Sequence, residues 1–262
     1  MTTTAQYDDP TFFAKYSQLS LNRAGVKDIL QWPTISRNIG HVTNQTVLDL
    51  GCGFGQFCRW ASENGAASVH GIDASAKMLE KARELNNADN ITYEQGDLDL
   101  SLKHPNALKL RENAYDLVHS SLALHYAENI AATFAAIYKA LKPGGRFVFS
   151  VQHPTFSAPR TPNWGVRKDG GTLFWELESY GSEGPRMINF LGQPIRAYHR
   201  TMETYISLLL ENGFMLVDFK ECIPPPGVLP EMHLDHGKEG HRPLFLILAA
   251  RKVHVSSSDS RG

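Results

Sequence analysis

Val47-Leu48-Asp49-Leu50-Gly51-Cys52-Gly53-Phe54-Gly55 is the stretch that decides the fold. It belongs to a short apolar strand, Thr46 to Leu50, followed by glycine at three alternate positions. The residues after it, Gln56 to Asn64, carry Phe57, Trp60 and Ala61 at helical spacing, and Gly65 follows as a C-cap. Glycine permits tight backbone angles and lets a ligand approach the main chain closely. Such a turn from strand to helix serves nucleotide binding in several folds, and elsewhere it is only a turn. The dinucleotide fingerprint would need glycine at position 56, after Gly51 and Gly53. Gln56 stands there, which counts against a nicotinamide or flavin enzyme.

Outward from this turn the chain alternates between strand and helix. Ser68 to Ile72 is a second strand. Ser75 can cap a helix with Met78, Leu79, Ala82 and Leu85 on one face. Ile91 to Tyr93 begins a third strand, and Tyr115 to Ser121 is a fourth. Ile130, Phe134, Ile137 and Leu141 mark another helix face, which Pro143-Gly144-Gly145 stops before a fifth strand, Arg146 to Val151. Strands alternating with helices imply an α/β domain, a parallel sheet with helices on both faces. The right-handed crossover rule leaves few topologies.

The run 152–200 breaks the rhythm with Pro, Gly and aromatic residues. A structureless connection of that length is uncommon and usually functional, so it is expected to be an inserted cap over the active site. Helix resumes near Thr201 and stops at Gly213, and Phe214 to Phe219 and Leu244 to Ala250 add two strands. Pro224 to Pro226 marks a rigid connection. The expected organisation is one domain over residues 1–252, with 1–40 as an N-terminal helical lid, and a disordered tail over 253–262.

Composition limits the function classes. The 262 residues suit a single α/β domain, and 42% hydrophobic residues suffice for a large core. A formal charge of -1 lacks the broad positive field of a nucleic-acid binder. The sequence shows no signal peptide and no apolar run near the ~18 residues that a membrane span needs. Three unpaired cysteines argue against a disulfide framework or a zinc site. The expected compartment is therefore the cytoplasm, and no membrane partner or metal is expected. His233, His236 and His241, with Asp235 and Glu239, match no closed tetrahedral ligand set.

Two acids support a ligand at the carboxyl edge of the sheet. Asp73 ends the second strand, where a carboxylate can accept bonds from both ribose hydroxyls or simply favour a helix start. Asp97, in Gly96-Asp97-Leu98, can accept from an adenine amino group while Leu98 packs on the ring, or it can be a solvated turn residue. Together they outline one adenosine site.

With these residues the sequence resembles the class I S-adenosylmethionine-dependent methyltransferases, in the broad bacterial small-molecule group. The resemblance runs from Tyr7-Asp8-Asp9-Pro10 through the glycine turn, Gly71 to Asp73, Gly96-Asp97 and Ser120 to Tyr126. It continues through Leu141 to Gly145, Ser150 to Pro154, Tyr198 to Thr201 and Arg242 to Leu246. It implies a Rossmann-like, seven-stranded, mostly parallel sheet with the last strand antiparallel and the cap after the fifth strand. It implies S-adenosylmethionine as cofactor and S-adenosylhomocysteine as product. Asp49, Gly51 and Gly53 would line its methionine part, with Asp73 on the ribose and Asp97 near adenine. Ser120, Ser121 and Leu122 would face it from the fourth strand, and Tyr7 and Tyr16 would close over it. Cys52, Ala74, Met78, Gly96 and Leu98 complete the expected cofactor set. The Asn-Pro-Pro-aromatic motif of nucleobase and glutamine N-methylating relatives is absent, since Ser120-Ser121-Leu122-Ala123 occupies that region.

Methyl transfer from a sulfonium is an in-line displacement, so the protein mainly aligns groups and excludes water. The implied acceptor is an O or N atom of a small molecule; RNA or protein methylation, or cofactor binding without catalysis, is the alternative. An oxygen or nitrogen nucleophile can need a base near neutral pH, and histidine fits. His153 is the first candidate and His125 the second; each can equally be a structural histidine. Tyr126, Trp164, Trp175, Tyr198, His199 and Arg200 are expected to contact substrate. Arg200 can clamp an acidic group or pair with Glu203.

Overall fold

The computed structural model describes residues 7–19, 25–98, 108–161, 164–168, 171, 173–225 and 242–253. Two helices come first, α1 (Pro10–Ser17) and α2 (Trp32–Ile39). Alternation follows through β1 (Thr46–Leu50), α3 (Gln56–Glu63), β2 (Ser68–Asp73), α4 (Ala76–Leu85) and β3 (Ile91–Gln95). It continues with β4 (Tyr115–Ser121), α5 (Ile130–Ala140) and β5 (Leu141–Gln152). The insertion contains α6 (Pro154–Ser157), β6 (Trp164–Val166), β7 (Leu173–Trp175), β8 (Gly184–Phe190) and β9 (Gln193–His199). The chain returns through α7 (Met202–Glu211), β10 (Phe214–Cys222) and β11 (Phe245–Lys252).

The main sheet has seven strands in the order β10-β11-β5-β4-β1-β2-β3. β11 runs antiparallel to both β10 and β5, while the neighbouring pairs from β5 through β3 are parallel. The sheet is therefore Rossmann-like, with its last strand antiparallel, as expected. Its order reverses between β1 and β4, which opens a crevice at their carboxyl ends.

Alternate residues of the strands feed two cores. Leu48, Leu50, Phe147 and Phe149 face α5 and α7, where Phe134, Ile137, Tyr205 and Leu209 are buried. Val47, Leu117, Val148 and Ile247 face α2 and α3, against Ile35, Ile39, Phe57 and Ala61. Each such aromatic side chain contributes about 3–5 kcal/mol relative to alanine. Local signals agree: Ser75 caps α4 through a bond from Met78 N, and Thr201 caps α7 through a bond from Thr204 N.

The structure departs from expectation in two places. β5 begins at Leu141, directly after α5, rather than at Arg146. Its pairing with β4 steps from Tyr115–Leu141 to Leu117–Arg146, so Pro143-Gly144-Gly145 sits in the irregularity between two paired parts of one strand. The insertion is not structureless: β6–β7 and β8–β9 are antiparallel pairs. Ile188, Ile195 and Ala197 of the second pair share a small core with Phe12 of α1. The histidine-rich stretch His233 to His241, Pro226 and the expected tail after Val253 lie outside the described residues. Among the described residues, no cluster of metal-ligating side chains occurs and no helix is long and apolar enough to cross a membrane.

Candidate active site

The carboxyl ends of β1, β2 and β4 converge on the glycine turn. Gly51, Gly53 and Gly55 all take positive φ, at 72°, 52° and 76°. The amides of Gly51 and Cys52 bond Ile72 O of the neighbouring strand, at 2.8 and 3.0 Å, and hold the turn against β2. The glycines have different tasks. A Cβ on Gly51 would lie 2.2 Å from Ala123 Cβ, and one on Gly55 would lie 2.2 Å from the Tyr93 hydroxyl. A Cβ on Gly53 would meet no atom of the described residues within 4 Å. Gly51 and Gly55 are therefore glycines for close packing, while Gly53 exposes its backbone to open space where a ligand can approach.

Asp73 faces the same turn. Its Oδ2 accepts from Gly53 N and its Oδ1 from Ser75 N, both at 2.9 Å. Each carboxylate oxygen keeps a lone pair for a ligand hydroxyl. Burial pushes its pKa up to about 6, against the lowering effect of those two amides. Gly96 N bonds Asp73 O at 3.0 Å, which sets Asp97 beside it at the next strand end. Leu98 is buried near Gly51. Ala74 is half-buried and Met78 lies on the inner face of α4. The expected cofactor residues at these strand ends are thus brought together. Ser120 is the exception in orientation. Ser120 Oγ turns into the core to bond Leu50 O at 2.8 Å. Asp49 Oδ1 meets His119 Nδ1 at 2.7 Å, a pairing the sequence reading missed. Ser121 Oγ, half-buried, lies 3.2 Å from Ser150 Oγ. Leu122 follows with φ of 52°, an uncommon conformation for a branched residue, held by its amide bond to Ser150 O.

Three tyrosines roof this floor. Tyr7 and Tyr16 come from the N-terminal segment and Tyr126 from the turn after β4. Their rings meet edge-to-face, Tyr7 with Tyr16 at 5.6 Å and Tyr7 with Tyr126 at 6.0 Å between centroids. Tyr16 also packs on Phe54 of the glycine turn and on Phe190 of β8. Burial, with Asp73 close by, pushes the Tyr7 and Tyr16 phenols above their ordinary range, so both stay protonated. The segment is tied down by Asp8, whose Oδ1 accepts from Ser75 Oγ at 2.6 Å and whose carbonyl takes Lys77 Nζ. Asp8 was not singled out from sequence, although it stands beside Tyr7.

The expected base and substrate residues fare differently. His153 is buried: its Nδ1 accepts from Thr155 N at 3.1 Å and caps α6, and its Nε2 lies 3.0 Å from Glu221 Oε1 on β10. Both ring nitrogens are thus engaged, one within the insertion and one with the sheet edge. His125 is buried, and among the described residues neither ring nitrogen has a hydrogen-bond partner. Burial, then the nearby Arg200 cation, pushes its pKa down to about 3, which makes it too weak a base for neutral pH. His199 bonds Ser157 Oγ at 2.9 Å and Tyr180 O at 2.8 Å. Among the described residues Arg200 makes no ion pair with Glu203; its Nη2 donates to Ala127 O and Glu128 O, and its Nη1 is buried without a hydrogen-bond partner. The Tyr198 ring lies between Arg196 and Arg200. Tyr198-His199-Arg200 therefore joins the insertion to the turn after β4. Trp164 and Trp175 pack on each other at 5.3 Å, with the Arg242 guanidinium over both rings and over Phe156. Of the expected substrate residues, Tyr126 alone joins the tyrosine roof.

Comparison with known proteins agrees with this geometry. Residues 48–149 match the family model of the methyltransferase domain. An uncharacterized protein of Haemophilus influenzae is 32% identical over 94% of this chain and 96% of its own. An uncharacterized methyltransferase of Synechocystis sp. is 34% identical over 82% of this chain and 87% of its own. The crystal structure of an S-adenosylmethionine dependent methyltransferase from Mesorhizobium loti is 40% identical, covers 87% of this chain and 100% of its own, and superposes with a TM-score of 0.76. The chain belongs to the class I S-adenosylmethionine-dependent methyltransferases.

Proposed function

We propose that this enzyme methylates an oxygen or nitrogen atom of a small-molecule acceptor, at the site between the glycine turn and the three tyrosines. The observation that carries the reading is the roof: Tyr7, Tyr16 and Tyr126 lie over the turn that holds Gly53 and Asp73. When bound, S-adenosylmethionine supplies a methyl group already activated on a sulfonium. The chain's own residues then have three tasks. Gly53 leaves its backbone open to the methionine part, Asp73 accepts the ribose hydroxyls, and Asp97 with Leu98 receives adenine. The tyrosine faces stabilise a cation and exclude water from the transfer. Their protonated hydroxyls can donate to an acceptor and hold it in line. The bonds to both His153 nitrogens and the lowered pKa of His125 support a reading of catalysis by alignment, with an acceptor that needs no proton removed by histidine. A near-neutral chain with an aromatic roof suits a small acceptor better than nucleic acid, and the cytoplasm remains the expected compartment.

The test is transfer of labelled methyl from S-adenosylmethionine into fractionated cell extract. Label in the low-molecular-weight fraction supports the reading. Label confined to RNA or protein overturns it.

A further inference from the structure

β1 and β4 pair in a register that sets Asp49 directly opposite His119. Both side chains point to the α3 face and are nearly inaccessible, each at 3%. His119 Nδ1 lies 2.7 Å from Asp49 Oδ1. The other carboxylate oxygen receives the Cys58 thiol at 3.5 Å. The Phe57 ring stacks on the imidazole at 3.7 Å and fixes its plane. Among the described residues, Asp49 has no other ion-pair partner.

Among the described residues His119 Nε2 is buried without a hydrogen-bond partner, so the bond from Nδ1 to Asp49 is the one the ring makes. With the Cys58 thiol on the other oxygen, that bond fixes the rotamer of the carboxylate. A carboxylate so far from water attracts a cationic group strongly. Asp49 stands two residues before Gly51, and its field reaches Cys52 and Asp73 at the same site. The α-ammonium of the cofactor's methionine end is a cation of the right size and place.

We propose that His119 is a positioning residue: through its bond from Nδ1 it orients the Asp49 carboxylate toward the α-ammonium of the bound cofactor. This rests on the reading of the glycine turn as the S-adenosylmethionine site. Without the Nδ1 donor the carboxylate loses the bond that locks its rotamer and, with it, its aim at the ammonium.

The test compares S-adenosylhomocysteine with 5′-methylthioadenosine, which lacks the amino acid end, by calorimetric titration of the full chain. His119→Leu is expected to weaken S-adenosylhomocysteine binding about tenfold or more, the scale of a lost charge-assisted bond, and to leave methylthioadenosine unchanged. His119→Asn, whose side-chain amide takes the place of Nδ1, should restore most of the affinity. If His119→Leu does not fold, His119→Phe keeps the stack on Phe57 and reads the same quantity. A variant that loses both ligands equally, or neither, overturns the inference while the cofactor reading stands. A wild-type protein that binds neither ligand overturns both.

Discussion

The Tyr7 hydroxyl lies 3.1 Å from the Tyr126 hydroxyl, across 119 positions of sequence. One tyrosine belongs to the N-terminal segment and the other follows β4, so this bond ties that segment to the turn after β4. Tyr7→Phe keeps the ring contacts and removes the bond. It should weaken the tie by about 0.5–1.5 kcal/mol, the net value of one hydrogen bond, and lower kcat/KM several-fold. Steady-state kinetics with an identified acceptor checks this; an unaltered kcat/KM would remove the bond from the working enzyme.

Gly51 and Gly53 should separate stability from binding. Gly51→Ala forces a methyl to within 2.2 Å of Ala123 Cβ at φ of 72° and should cost about 2–4 kcal/mol of stability. Gly53→Ala meets no neighbour among the described residues, so only the left-handed backbone cost of about 1–2 kcal/mol remains. Its methyl would instead enter the space reserved for ligand. Thermal unfolding should rank Gly51→Ala as the weaker fold, and titration should show that folded Gly53→Ala has lost S-adenosylhomocysteine affinity. Equal binding by Gly53→Ala and wild type would put the ligand elsewhere.

Asp73 makes the binding pH-dependent. Its pKa of about 6 is above the ordinary carboxylate value, so acid protonates it within the range where the protein can be handled. Ribose hydroxyls donate, so they need the ionised form. Affinity should rise with pH up to about 6 and level above it, and Asp73→Asn should abolish the step. The same shift works against the unliganded fold, because ionising a buried acid costs stability. The Asp73 contribution is present below the unfolded pKa of about 3.8 and is lost as pH rises through about 6. Asp73→Ala should weaken binding by about 1–3 kcal/mol. A flat affinity profile from pH 5 to 8 would remove Asp73 from the ribose.

His125 acts in the opposite direction. Its pKa is lowered from 6.5 to about 3, so the unfolded chain binds the proton more readily between those values. Stability is complete above about 6.5 and declines as pH falls toward 3. His125→Phe should flatten the acid side of a plot of melting temperature against pH. A slope identical to wild type would show that His125 opens without global unfolding.

His153 is expected to matter for stability and not for the pH profile of kcat. His153→Ala removes the cap of α6 and the bond to Glu221, and should cost about 1–2 kcal/mol. A change of the kcat profile near neutral pH, without a drop in melting temperature, would return His153 to the chemistry.

The legibility of this protein in its sequence follows from range. β1 and β4 have the boundaries expected from their apolar runs, because a buried parallel strand is a local pattern. The glycine turn and Asp73 were legible for the same reason. The β8–β9 hairpin was not: its turn, Leu191-Gly192, has φ of 55° and 79° and lacks the usual Asn-Gly or Asp-Gly signal. His119 was missed because parallel register is set by packing of α3 and the sheet, and no local feature of Val118-His119-Ser120 announces Asp49 opposite. His153 and His199 are ambiguous in sequence for a related reason. A strand end that can reach a substrate can equally reach a helix amide or a backbone carbonyl, and both histidines do so.

The most direct measurement is calorimetric titration of the purified protein with S-adenosylmethionine, S-adenosylhomocysteine and NADH. The geometry of Gly53, Asp73 and the tyrosine roof leads us to expect micromolar binding of both sulfur ligands and none of NADH. Binding of NADH alone, or of none of the three by folded protein, would contradict it.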